Sequence, residues 1–96
     1  MLKVFAKMLV KEGCVDEFKA TAKELVAKSQ AEEKNIYYTL NESPEDPRVL
    51  AFVECWQSKE ALEEHEQTEH FTTILPKLAS LCEESFPAEI LNEVEY

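Results

Sequence analysis

The sequence predicts an α+β domain of 96 residues in which a four-stranded antiparallel sheet carries helices on one face, in the order βαββαβ. Three observations predict it. Runs around 2–10, 36–40, 49–56 and 88–96 have strand character, two intervening stretches repeat their apolar residues at helical spacing, and Gly13, Pro44, Pro47 and Pro87 punctuate the joins.

Leu2 to Val10 reads as the first strand, with Val4, Ala6, Met8 and Val10 on one side and Phe5 and Leu9 on the other, until Gly13 breaks it. Val15, Phe18, Ala22, Leu25 and Val26 recur as one face of a helix from Val15 to about Ser29. Ile36 to Leu40 is rich in aromatic and β-branched residues and forms a second strand. The turn-rich segment Asn41 to Arg48 then makes strands two and three a hairpin. In the third strand, Val49 to Trp56, the parity of Val49, Ala51, Val53 and Cys55 is wholly apolar, whereas Leu50, Phe52, Glu54 and Trp56 set a carboxylate beside an indole. Ser58 is a good N-cap and Glu60 suits the positive end of a helix dipole, so a helix begins at Lys59 with Ala61, Leu62 and His65 on its inner face. Phe71, Ile74, Leu75, Leu78, Leu81 and Cys82 form another helical stripe, which Pro76 should kink or restart near Thr73. Pro87 ends that region and Ala88 to Tyr96 is the last strand.

This order is the split βαβ arrangement of ferredoxin-like domains. It leaves one sheet face without a helix, and a second subunit is the economical cover, so a homodimer of single-domain chains (residues 1–96) is expected. The net charge of -10 is uneven: residues 60–96 hold ten acids against Lys77 alone, while residues 1–59 hold ten acids against nine bases. Such a surface repels nucleic acid and anionic membrane, and a solvated helix face accounts for the acids. Lys3, Lys7 and Lys11 interrupt the apolar start of the chain, which argues against a signal peptide, and there is no apolar run of about 20 residues to cross a membrane. Cys14, Cys55 and Cys82 are far apart and form no C-x-x-C pair, which fits reduced thiols in a cytoplasmic protein and no cysteine metal site.

The stretch from Glu54 to Phe71 holds both histidines and is where chemistry is expected. His65 titrates near neutrality and is the first choice for a general base, against the alternative of a core histidine satisfied by a carboxylate. His70, before Phe71 at a helix break, fits a cap or the surface better than catalysis. Trp56 could stack on an aromatic substrate and Tyr38 could donate to a substrate oxygen, although both residue types are ordinary core in such strands. Glu54 could orient a histidine or pair with a lysine. A zinc site on His65 and His70 is not expected, because residues five apart on a continuous helix point about 140° from each other.

The run Glu54, Trp56, Ser58, Glu60, Ala61, Leu62, His65, Thr68, His70, Phe71 resembles the pattern that the antibiotic biosynthesis monooxygenase family shows between its third strand and second helix. The likeness extends to Gly13 with Asp16, Glu17 and Phe18, and to Glu32 and Glu33 followed by Tyr38, while Lys34 stands where members usually carry glycine. The resemblance implies a dimeric α+β barrel and a monooxygenase that uses no metal or flavin to oxidise a small aromatic quinol or anthrone. In that setting His65 would be the base, with Tyr38, Glu54, Trp56, His70 and Phe71 around the substrate. Other branches fit less well. Haem-degrading members use an asparagine in strand one, and here His65 and Leu75 stand where their tryptophan and iron-binding histidine would be. An isomerase of a phosphorylated keto compound needs cations, yet Arg48 is the only arginine. A non-catalytic dimeric small-ligand-binding module would have no use for a titrating His65.

Overall fold

The alternation of Leu2, Val4, Met8 and Val10 places one side of β1 (Leu2–Val10) in the core, and Gly13, at φ 81°, turns the chain into α1 (Val15–Gln30). A side chain at Gly13 would meet nothing within 4 Å, so it is the left-handed backbone that calls for glycine there. The computed structural model describes residues 1–96. After α1 come β2 (Asn35–Glu42), β3 (Val49–Trp56), α2 (Lys59–His65), α3 (Glu69–Ser80), β4 (Cys82–Ser85) and β5 (Glu89–Asn92). The sheet order is β2-β3-β1-β4, antiparallel throughout, and β5 also pairs with β1. No helix is long and apolar enough to cross a membrane.

The fold is the expected α+β arrangement, with five strands instead of four. The expected final helical stripe is too long: α3 ends at Ser80, and Cys82 opens β4 opposite Val10. Tertiary pairing overrides the periodicity here, because the free edge of β1 needs a partner and Lys11 donates its N–H to Leu81 O at 2.9 Å. β4 and β5 occupy one sheet position in succession, facing Met8–Val10 and Leu2–Phe5 respectively, interrupted at Phe86–Ala88. β5 stops at Asn92, short of the expected Tyr96, since its partner β1 starts at Leu2. The helix break also lies earlier than expected. Thr68 caps α3 by accepting from Phe71 N at 3.2 Å and donates its own hydroxyl to His65 O at 2.7 Å, so the chain restarts at Glu69, not Thr73, and Pro76 sits inside α3. Ser58 caps α2 as expected, accepting from Ala61 N at 3.2 Å.

The register of β2 on β3 shifts between Asn35 and Tyr37. Asn35 faces Trp56 and Tyr37 faces Cys55, leaving Ile36 as an extra residue, 45% exposed. Side chains alternate with period two, so this one-residue insertion puts Tyr38, instead of Tyr37, opposite Glu54 on the helix-covered face. That face holds the core, where Phe18, Leu25, Leu50, Phe52, Trp56 and Leu78 are essentially inaccessible. The opposite face presents Phe5, Leu9, Val49 and Val53 with no helix over them.

Candidate functional site

Glu54 faces the covered side of β3 between Phe52 and Trp56, and only 6% of it is exposed. Trp56 Nε1 donates to Glu54 Oε1 at 2.9 Å, which leaves the other carboxylate oxygen free. Burial pushes the Glu54 carboxyl up to about 7, with Glu66 and Glu32 adding to the rise and the indole donation opposing it. Tyr38, its cross-strand neighbour, is 2% exposed, and burial together with the Glu54 charge holds its phenol far above the usual range, so it remains a donor.

His65 ends α2 and is 1% exposed. Its ring lies 4.5 Å from Trp56, 5.0 Å from Phe71 and 5.4 Å from Tyr38, centroid to centroid. Glu32, in the turn after α1, places Oε2 2.6 Å from His65 Nδ1 and 2.8 Å from His70 Nε2. A carboxylate oxygen can only accept, so His65 carries its proton on Nδ1 and leaves Nε2 with a lone pair. Nε2 is buried and has no hydrogen-bond partner. Burial lowers the pKa of His65 more than Glu32 raises it, which keeps the ring neutral at pH 7.

The expectation that the two histidines point apart fails, because its premise was one continuous helix. α2 stops at His65 and α3 starts at Glu69, and across this break both rings reach one carboxylate oxygen, 5.9 Å apart. Glu32, His65 and His70 each offer a ligand atom within 4.8 Å of the others, the kind of set a divalent cation would use. Here they are joined to each other by hydrogen bonds.

A cavity of about 240 Å³ opens beside His65. Tyr38, Glu54, His65, Glu66 and Phe71 line it, and Ala88 and Ile90 of the β5 side form part of its wall. Of the residues singled out from sequence, Tyr38, Glu54, His65 and Phe71 therefore share this cavity. Trp56 packs behind His65 and ties down Glu54, and His70 reaches the cavity only through Glu32. Sequence reasoning missed Glu32 and Glu66 as site residues. The acid pair before strand two is the visible trace of Glu32, but the position of the helix break, at Thr68 and not near Thr73, is not. No lysine or arginine lines the cavity. Arg48 is committed elsewhere, donating to Val10 O at 2.9 Å and to Glu83 Oε2 at 2.7 Å, and Lys34 pairs with Glu64 at 3.2 Å. Carboxylates without cations make a poor seat for a phosphate.

Comparison with known proteins agrees with this architecture. Residues 1–77 match the family described as antibiotic biosynthesis monooxygenase. A protein of Bacillus subtilis (strain 168), named "Putative monooxygenase YcnE", is 32% identical over 92 residues, which is 96% of this chain and 95% of that protein. A crystal structure of an antibiotic biosynthesis monooxygenase superposes with a TM-score of 0.93 at 30% identity, covering 99% of this chain and 100% of the other. A conserved protein from Methanosarcina mazei Go1 does so with 0.92 at 30% identity, covering 97% and 92%.

Proposed function

The chain belongs to the antibiotic biosynthesis monooxygenase family, and on that premise we propose that it oxidises a small aromatic quinol or anthrone with dioxygen, using no cofactor and His65 as the general base. The observation that carries this reading is the Glu32–His65 pair. The carboxylate holds the Nδ1 proton at 2.6 Å, and Nε2 is left unpartnered on a ring that lines an apolar cavity.

The chemistry balances without an outside reductant. His65 Nε2 takes a proton from the quinol hydroxyl or the anthrone methylene. The anion passes one electron to dioxygen, and the resulting superoxide and substrate radical combine into a carbon–oxygen bond. Glu54, titrating near 7, delivers a proton to the peroxide oxygen. The remaining C–H proton leaves as the O–O bond breaks, so one oxygen atom stays as a ketone and the other departs as water. The substrate supplies every electron. Tyr38 donates to the developing oxyanion, and the aromatic walls exclude water and hold the ring in place.

Reduced naphthoquinols and anthrones should support oxygen uptake by the wild-type protein, and with ¹⁸O₂ one labelled atom should enter the product. Absence of uptake above the spontaneous rate with both classes would sink the proposal. We assign the working form to a homodimer, because the bare sheet face carries Phe5, Leu9, Val49 and Val53, and an exposed apolar sheet of this kind needs a cover. The unpaired Cys14, Cys55 and Cys82 suit a reducing cytoplasm.

A further inference from the structure

Deepening that reading, on which it rests for the head group, we infer that the substrate is an aromatic ring bearing an apolar chain, and that the chain lies in a second lobe between α3 and β1–β4. A cavity of about 280 Å³ adjoins the one at His65, and Ala6, Phe52 and Leu75 line both. Either lobe alone falls below the roughly 300–1,000 Å³ of ordinary small-ligand sites, whereas the two taken together reach it. Their chemistry differs. The first gathers Glu54, His65 and Glu66, while the second is walled by Met8, Phe52, Leu75, Leu78, Cys82 and Phe86.

The polar groups of the second lobe are already engaged or lie at its edge. Cys82 Sγ donates to Leu78 O at 3.3 Å, and burial raises its thiol pKa, so it is not a nucleophile. Lys7 Nζ stands 4.9 Å over the Phe86 ring. Phe86 is 40% exposed in the gap between β4 and β5, and its backbone N–H is fixed on Lys7 O at 3.1 Å. A lobe that offers mostly apolar contact area, with Lys7 and Ser85 as its only polar side chains besides the Cys82 thiol, selects methylene groups, and the wall it shares with the head cavity makes a chain attached to the ring the fitting occupant.

The test is a series of 2-alkyl-1,4-naphthoquinones carrying methyl, pentyl and decyl chains, with binding followed through quenching of Trp56, the only tryptophan and a direct neighbour of His65. Kd should fall by up to about fourfold for each added methylene until the lobe is filled, and then level off. Ala79→Phe projects from an exposed position on the lobe wall and should abolish the gain with chain length while leaving the methyl compound within about twofold of wild type. Ser85→Phe fills the lobe from the opposite wall and should do the same if the first variant distorts α3. A flat series in the wild type, or an undiminished gain in both folded variants, overturns the inference. Oxygen uptake with the corresponding quinols separates it from the premise. A chain-length gain in binding with no uptake would remove the oxygenase chemistry and leave the two-lobed site standing.

Discussion

Both faces of β3 are lined mainly by apolar side chains, but only one of them holds a carboxylate. On the bare face Val49, Ala51, Val53 and Cys55 include no group that needs a hydrogen bond or a charge. On the covered face Glu54 lies among Leu50, Phe52 and Trp56 under the helices, where desolvation moves its carboxyl from an ordinary 4.5 to about 7. A core built only for stability would not hold an ionisable group at such a cost. The difference teaches that the covered face holds a costly ionisable group at some expense in stability, while the bare face holds only side chains that a cover would bury.

The largest effect expected on this contrast is chemical. His65→Ala should lower the rate of oxygen uptake by about 10² to 10⁴ while the chain stays folded. Melting curves run beside the assay distinguish this from a packing role, which would show as a loss of stability with activity kept.

Next comes assembly. Light scattering at micromolar concentration should report a dimer for the wild type, burying more than about 1,000 Å², and a monomer for Val53→Glu, which sets a charge in the middle of the bare face. A wild-type monomer would break the comparison outright.

Glu54 gives a signed pH effect. Its folded pKa lies above the unfolded value of 4.5, so its contribution to stability is whole below about 4.5 and is lost as pH rises through about 7. The shift corresponds to about 3 kcal/mol, and Glu54→Gln should remove this pH dependence, so that the variant gains on the wild type by up to that amount between pH 5 and 9. His65, whose pKa is lowered, acts in the other direction and destabilises as pH falls below its ordinary 6.5. Uptake should therefore rise with pH below about 6.5 and decline above about 7, and Glu54→Gln should erase the alkaline decline. A decline that survives in this variant would move the acid role to another group.

His70→Ala should cost less than about tenfold in rate, since His70 touches the base only through Glu32. The smallest effect is expected from a chelator. Overnight treatment with EDTA should leave uptake unchanged, and a loss restored by zinc or iron would mean that Glu32, His65 and His70 hold an ion.

How much of this was legible in the sequence depended on how local each feature is. The three long strands, α1 and the start of α2 followed from periodicity and from the Ser58 cap. The cavity residues Glu54, His65 and Phe71 came from one continuous stretch, with Tyr38 from the neighbouring strand. Three features were hidden for physical reasons. β4, with the sequence Cys-Glu-Glu-Ser, has no apolar alternation and is a strand only because β1 has an open edge. Pro76 looked like the helix breaker, yet the cap at Thr68 sets the restart, and the break between α2 and α3 is what turns both histidines to one side. Glu32 lies 33 residues from His65, a distance closed only by the assembled fold.

The extra residue at Ile36 has a consequence for how such a protein can change over generations. Substitutions along β2 alter one side chain at a time, but drawing Ile36 into regular pairing with Cys55, with no residue lost, would turn every position after it to the other side of the sheet. Tyr37 would enter the cavity wall, Tyr38 would leave for the bare face, and Leu40 would follow it out of the core. Pairing register at this point thus carries information that no single side chain does. Loss of Ile36 alone would keep Tyr37 opposite Cys55 and Tyr38 opposite Glu54, and the connection at residues 43–48, which lies outside the strands, can likewise gain or lose residues without moving the site.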